Sequence, residues 1–213
     1  MNEPNGLIST ICGIDEAGRG PLAGPVTAAA VVLLPSFDRS LLKDSKVLSP
    51  RSRERAFDAL LRDMCPLGIG WVWPEEIDQI NIHHASLLAM QRAYRKLREE
   101  FPSAQVSRIL VDGRFCPEIS GPPCTALVGG DHREPAIMAA SIIAKVSRDR
   151  WMVRYAVQDG RYGFETHKGY PTAAHRTALA RHGASPIHRR SFRGVPPVTA
   201  HDPHASEGST PPS

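Results

Sequence analysis

Near its N-terminus the chain has two apolar runs that only a tight, glycine-rich loop separates. The first run covers residues 11–15, and the second, rich in Val and Ala, covers residues 25–34. Short apolar runs bounded by turn residues are typical of buried strands. Because a crossover helix does not fit in so short a loop, we expect the two strands to pair antiparallel as a hairpin. The hairpin therefore supplies the first two strands of a sheet.

The later segments alternate between strand and helix patterns. Apolar runs predict strands over residues 67–72, 107–111 and 124–128, and helical spacing predicts helices over residues 50–64, 81–100, 135–155 and 171–181. Ser49 and Asn81 suit helix N-caps, and Pro50 and Pro135 suit first helical positions. Since helices separate the later strands, the chain is predicted to be α/β, with a mixed sheet flanked by helices.

Composition excludes several classes of protein. No apolar run reaches the length of a membrane span, and residues 1–10 lack the plan of a signal peptide, so we expect a cytoplasmic protein with no membrane partner. The four cysteines show no Cys-x-x-Cys spacing and are expected to be reduced. We expect residues 1–10 to be an N-terminal tail, residues 11–194 to be one folded domain, and residues 195–213 to be a disordered tail. A monomer is the default expectation.

The second half of the chain is basic. Residues 145–194 contain eleven Lys and Arg against three Asp and Glu. Such clustering suits a polyanionic partner such as nucleic acid, although a solvated helical face gives the same pattern.

Acidic residues follow three of the predicted strands. Asp15 and Glu16 end the first strand, Asp112 follows the run at residues 107–111, and Asp131 follows the run at residues 124–128. In open α/β sheets functional groups gather beyond the carboxyl ends of strands. Four converging carboxylates would repel one another unless hard cations such as Mg²⁺ or Mn²⁺ lay among them. Two such ions suit an in-line displacement at phosphorus.

The loop after Glu16 combines flexibility with positive charge. Gly18 and Gly20 let the backbone approach a ligand closely, and Arg19 adds a planar cation. The loop lacks the Gly-Lys-Ser/Thr of a nucleotide-triphosphate site, and the chain shows neither a His-x-x-x-His pair for zinc nor a nucleophile elbow around a serine. The favoured interpretation of this segment is a site where metal ions bind a phosphate.

Several motifs resemble bacterial ribonuclease HII. In the order of that family, they are Asp15-Glu16-Ala17-Gly18-Arg19-Gly20-Pro21, Asp44-Ser45-Lys46, Val111-Asp112-Gly113, Ala139-Ala140-Ser141-Ile142-Ile143-Ala144-Lys145-Val146-Ser147-Arg148-Asp149, Tyr162-Gly163-Phe164, His167-Lys168-Gly169-Tyr170 and His188-Arg189-Arg190-Ser191-Phe192. The resemblance covers residues 11–194, and would make that span the catalytic domain.

The resemblance implies a ribonuclease H-like five-stranded mixed sheet with a C-terminal helical extension. It implies an endonuclease that uses Mn²⁺ or Mg²⁺ and two-metal-ion catalysis on RNA/DNA hybrids or on duplex DNA that contains ribonucleotides. Cleavage would fall on the 5′ side of the ribonucleotide and leave 5′-phosphate and 3′-hydroxyl ends.

The resemblance also implies roles for residues. The metal ligands and catalytic residues would be Asp15, Glu16, Asp112 and Asp131. The ribose 2′-hydroxyl would be bound by Gly18, Arg19 and Gly20, and Tyr170 would pack on the neighbouring deoxyribose. The phosphate contacts would be Lys46, Lys145, Arg148, Lys168, Arg189 and Arg190. One departure is Gly129, where the family commonly has Lys, which removes a positive charge beside Asp131.

Two alternatives stay open. A nuclease or recombinase of the same architecture would act on DNA without a ribose requirement, but it would have no 2′-hydroxyl for the Gly-Arg-Gly loop to read. A non-catalytic nucleic-acid-binding module would gain nothing from four carboxylates, which repel phosphates unless metal intervenes.

Overall fold

A five-stranded mixed sheet lies at the centre of the computed structural model, which describes residues 10–42 and 48–196. The strands are β1 (Ile11–Ala17), β2 (Val26–Val32), β3 (Leu67–Val72), β4 (Arg108–Asp112) and β5 (Cys124–Leu127). Their order across the sheet is β3-β2-β1-β4-β5. The predicted α/β fold is confirmed.

The pairing of the strands determines which strand ends lie at the same edge of the sheet. β1 pairs antiparallel with β2 as the expected hairpin, and it pairs in parallel with β4 so that Ile14 lies opposite Val111. β4 in turn pairs in parallel with β5, which places Asp112 opposite Leu127. Because β1, β4 and β5 run in one direction, their carboxyl ends lie at the same edge of the sheet.

Helices cover both faces of the sheet. They are α1 (Pro50–Arg62), α2 (Pro74–Glu100), α3 (Pro135–Gln158), α4 (Phe164–His167) and α5 (Ala173–His182). Among the described residues, none of these helices combines the length and the apolarity that crossing a membrane would need.

The predicted N-caps of α1 and α2 are both present. Ser49 caps α1 by accepting the backbone N–H of Ser52 at 3.1 Å. The predicted start of α2 at Asn81 is instead a kink, with φ 63° and ψ 165°, inside a helix that begins at Pro74. Asn81 Oδ1 still accepts the N–H groups of His83 and His84, so the predicted cap is real and caps the helical segment after the kink.

β2 shows why the sheet needs cover on both sides. Alternate residues point to opposite faces. Ala28 and Ala30 join the core beneath α2, whereas Ala29 and Val31 join the core beneath α1 and α3. All seven residues of β2 are buried, which explains its continuous apolar run.

The last helices form the C-terminal extension. A third apolar cluster joins α3, α4 and α5 to the loop that follows β1, and its members include Leu22, Met152, Tyr162, Phe164 and Leu179. The extension therefore packs directly on the glycine-rich loop. The predicted tails at residues 1–10 and 195–213, and with them Lys46, lie outside the described residues except for residues 10, 195 and 196.

Gly13 lets α3 approach β1. A Cβ at Gly13 would lie 2.1 Å from the main-chain carbon of Ala136 in the first turn of α3. We expect Gly13→Ala to lower the free energy of unfolding by about 3 kcal/mol, because backbone atoms have to move apart. Urea denaturation checks this. Gly160→Ala is the control, since its Cβ meets only one atom, at 3.7 Å, and an equal effect in both variants would contradict the close approach.

Candidate active site

Three carboxylates meet at the carboxyl edge of the sheet. Asp15 and Glu16 lie at the end of β1, and Asp112 ends the neighbouring parallel strand β4. Asp15 is almost completely buried. Its Oδ1 accepts the N–H of Glu16 at 2.7 Å, and it also hydrogen-bonds the Ser141 side chain on α3. Ser141 was not among the predicted site residues, although it lies within one of the motifs.

Burial and mutual repulsion make the charged state of these carboxylates costly. Burial raises the pKa of Asp15 well above its usual range, and the charges of Glu16 and Asp112 raise that pKa further. Burial also raises the pKa of Glu16, against the lowering effect of Arg19. Arg19 Nη1 lies 3.1 Å from Glu16 Oε1. A cation among the three carboxylates would stabilise their ionised forms.

Asp131 directly follows the residue whose backbone bonds Asp112. The N–H of Gly130 donates to Asp112 Oδ1 at 2.8 Å, which ties the turn at residues 130–132 to the end of β4. Asp131 is only 2% exposed, and its Oδ1 lies 3.5 Å from His132 Nε2. Gly129 has a left-handed φ of 67°, a conformation that glycine adopts without strain.

The donor chemistry fits a hard divalent cation. Carboxylate oxygens are the preferred ligands of Mg²⁺ and Mn²⁺. Within residues 10–42 and 48–196, no three Asp, Glu, His or Cys side chains are already gathered as ligands of one ion. The Glu16 carboxylate instead faces Arg19, and Asp112 accepts the Gly130 N–H. Asp15, Glu16 and Asp112 supply the oxygen atoms that could hold such an ion, and its charge would offset the repulsion among them.

A buried arginine holds the Gly-Arg-Gly loop in place. Arg189 is 0% exposed, and its guanidinium donates to the carbonyls of Gly18 at 2.6 Å, Arg19 at 3.0 Å and Gly24 at 2.9 Å. Burial lowers its pKa to about 9, so it is still protonated at neutral pH. Gly18 has a φ of 94°, which favours glycine.

A second buried arginine continues this arrangement. Arg148 on α3 is also 0% exposed, and it donates to the carbonyls of Ala23 at 3.0 Å, Pro25 at 2.8 Å and Lys168 at 3.0 Å. It thereby joins the loop after β1 to the loop after α4. Arg148 and Arg189 were expected to contact phosphates, but both guanidinium groups are buried and bonded to main-chain carbonyls, which leaves them inaccessible to a phosphate.

A cleft of about 470 Å³ lies beside the carboxylates and the loop. Its lining comprises Glu16, Ala17, Gly18, Arg19, Gly20, Arg53, Ser141, Lys145 and Tyr170. Lys145 and Tyr170 were predicted, and the Lys145 Nζ lies 5.5 Å from the centre of the Tyr170 ring. Arg53 on α1 was missed, because no motif includes it. Tyr170 is 40% exposed, so its ring is accessible from the cleft.

The other two predicted phosphate contacts lie elsewhere. Lys168 does not line this cleft, and its Nζ donates to the Glu165 carbonyl. The backbone N–H of Arg190 donates to Asp78 on α2 at 2.8 Å, and Arg190 does not line the cleft either.

Two neutral histidines, hydrogen-bonded to each other, hold the backbone of Tyr170. His188 Nδ1 accepts the N–H of Ser185, so its proton is on Nε2, which lies 3.0 Å from His175 Nε2. His175 Nε2 must then accept, and its Nδ1–H donates to the Tyr170 carbonyl at 2.9 Å. Burial lowers the pKa of His188 to about 3, so its side chain is neutral at neutral pH. The spacing of the nine histidines in the sequence excluded a His-x-x-x-His zinc pair, but it did not predict this contact between His175 and His188.

Comparison with known proteins gives one consistent result. The family model described as Ribonuclease HII matches residues 12–195. The chain is 47% identical over 192 residues to the ribonuclease HII of Coxiella burnetii, covering 90% of this chain and 91% of the relative. It is 50% identical over 194 residues to that of Treponema denticola, covering 85% of this chain and 97% of the relative.

A solved structure shows the same architecture. The ribonuclease H2 of Pyrococcus horikoshii OT3 superposes with a TM-score of 0.68 at 27% identity. The superposition covers 87% of this chain and 94% of the Pyrococcus chain. The five-stranded sheet and its helices thus match a ribonuclease H-type nuclease.

Loss of the Arg189 hydrogen bonds tests the anchoring of the loop. We expect Arg189→Lys to lower the free energy of unfolding by about 2 kcal/mol, because one ammonium group replaces a fork that reaches three carbonyls. Amide hydrogen exchange within residues 18–25 should become faster. Urea denaturation and hydrogen exchange measure the two effects. Arg193→Lys, at an exposed position, is the control, and unchanged exchange in Arg189→Lys would show that the loop does not depend on the guanidinium.

Proposed function

Because the chain belongs to the ribonuclease HII family, whose members are metal-dependent nucleases, we propose that it cleaves on the 5′ side of ribonucleotides. The substrates would be RNA/DNA hybrids and duplex DNA with embedded ribonucleotides, and the products would carry 5′-phosphate and 3′-hydroxyl ends. The observation that carries the proposal is the position of the anchored Gly-Arg-Gly loop directly beside the buried carboxylates.

We assign metal binding to Asp15, Glu16, Asp112 and Asp131, with Mg²⁺ or Mn²⁺ as the ion. When bound, two divalent ions supply an activated water and stabilise the leaving oxygen of an in-line displacement at phosphorus. The chain contributes the orientation of the ligands: Ser141 bonds Asp15, and the Gly130 N–H bonds Asp112. Their burial beside the cleft keeps the carboxylates from being fully solvated before substrate arrives.

Backbone geometry supports a role for the loop in reading the ribose. In a planar trans peptide, the carbonyl of one residue and the N–H of the next point in opposite directions. The carbonyls of Gly18 and Arg19 point to the buried Arg189, so the N–H groups of Arg19 and Gly20 point away from it. Amides presented in this way can bond a 2′-hydroxyl, the group that distinguishes RNA from DNA.

The remaining substrate contacts follow from the lining of the cleft. Tyr170 would pack on the deoxyribose next to the ribonucleotide. The hydrogen bond from His175 to the Tyr170 carbonyl would fix the position of Tyr170 in the cleft. Lys145 would bind a phosphate. Lys168 and Arg190 keep this role as proposals from the motifs, as does Lys46. Arg148 and Arg189 act as positioning residues instead.

The role of Asp112 can be tested by removing its charge. We expect Asp112→Asn to reduce nicking by about a thousandfold or more while duplex binding persists, because the amide cannot replace an anionic metal ligand. Gel-based nicking assays and fluorescence anisotropy measure the two properties. Asp63→Asn is the control, because Asp63 is the C-cap of α1 and does not line the cleft. Full activity of Asp112→Asn would remove this residue from the mechanism.

The ribose requirement can be tested with matched duplexes. With Mn²⁺ or Mg²⁺, a DNA duplex that contains one ribonucleotide should be nicked on its 5′ side, because only that site offers a 2′-hydroxyl to the loop. The same duplex without the ribonucleotide should stay intact. End-labelled strands locate the nick, and product ends are identified by ligation. Equal cutting of both duplexes would support the DNA-nuclease alternative, and binding without cutting would support the non-catalytic one.

A further inference from the structure

A second and larger depression opens next to the candidate active site. This groove, which we call the α1/α3 groove, has a volume of about 1060 Å³ and lies between α1, β3, α3 and α4. Arg53, Lys145 and Tyr170 line both the groove and the smaller cleft. A strand that leaves the cleft over Tyr170 would therefore enter the groove directly.

We propose that the α1/α3 groove binds the DNA strand beyond the nucleotide that packs on Tyr170. The inference rests on the proposed function, and it assigns a binding site and a sugar preference that depend chiefly on residues outside the motifs. Arg53, Trp71 and Arg154 are its principal residues.

The rim of the groove carries an excess of positive charge. Five Lys and Arg line it against two acidic residues, Glu54 and Asp149. Each acid is already paired, Glu54 with Arg150 and Asp149 with Lys145. Arg154 is exposed and forms no ion pair within residues 10–42 and 48–196, so its guanidinium is available for a phosphate. An excess of cations along a groove that continues the cleft is the pattern expected for a backbone-tracking surface.

The floor of the groove is apolar. Phe57, Ile69 and Trp71 line it, and the Trp71 ring stacks on Trp73 with centroids 5.9 Å apart and planes within 9°. A deoxyribose presents a methylene at C2′, whereas a ribose presents a hydroxyl that an apolar floor leaves without a hydrogen-bond partner. The groove therefore favours DNA over RNA on this side of the ribonucleotide.

The position of the ribonucleotide in a duplex of constant length tests whether a strand occupies the groove. Three duplexes place the ribonucleotide near one end, in the middle, or near the other end, and KM and kcat for nicking are measured for each. In the wild type, KM should rise about fivefold for one of the two end positions, because there no strand reaches the groove.

Arg154→Ala separates the groove from the active site. The variant should raise KM about fivefold for the central position. At the sensitive end position, which is the end position where the wild type has the raised KM, the variant and the wild type should have equal KM. Its slope of log KM against log salt should be smaller by about 1 for the central position. Arg95→Ala, an exposed residue of α2 on the opposite face of the sheet, is the matched control and should change neither quantity.

Sugar preference is tested separately. Replacing the deoxynucleotides of the arm that reaches the groove with ribonucleotides, starting one nucleotide beyond the neighbour of the original ribonucleotide, should weaken binding to the wild type. Fluorescence anisotropy measures this binding without divalent ions, so that no strand is cut. An Arg154→Ala effect of the same size at all three positions, or no positional effect in the wild type, would overturn the groove assignment. An unchanged affinity for the duplex with the ribonucleotide arm would overturn the sugar preference. If the wild type nicks none of these duplexes at the ribonucleotide, the proposed function itself fails instead.

Discussion

The geometry of the cleft depends on two buried guanidinium groups. Arg148 and Arg189 together donate to six main-chain carbonyls, five of them in residues 18–25. Burying a charge is costly unless hydrogen bonds replace its water, and these carbonyls supply them. The same bonds orient the loop, so that the N–H groups of Arg19 and Gly20 point away from Arg189. The C-terminal extension is thus part of the site, because it delivers Arg189 to the loop.

A second constraint comes from the direction of the strands. Parallel pairing of β1 with β4 and of β4 with β5 brings Asp15, Glu16 and Asp112 to one edge of the sheet. Burial is the main cause of the raised pKa of Asp15, and the charges of Glu16 and Asp112 raise that pKa further. The strand direction that gathers these acids therefore also makes their ionised forms costly.

Much of this arrangement could be predicted from the local sequence. The hairpin followed from two apolar runs and a short loop, and the acids were recognisable because each follows a strand. The kinked start of α2 was not predicted, since Pro74 adds a segment before the cap at Asn81. Arg53 was missed because a lone arginine on a helix carries no pattern. The packing of His175 against His188 was missed because it joins residues of α5 and the C-terminal segment that share no spacing rule.

The sequence by itself determined the order of the strands and helices, the family and the identity of the acidic candidates, because these depend on patterns between near neighbours. Only the tertiary structure decided which basic residues face solvent and which are buried. Arg148 bonds a carbonyl 123 positions away and Arg189 one 171 positions away. The environment of a side chain depends on such distant contacts, so two arginines that resemble surface charges in the sequence are internal anchors of the fold.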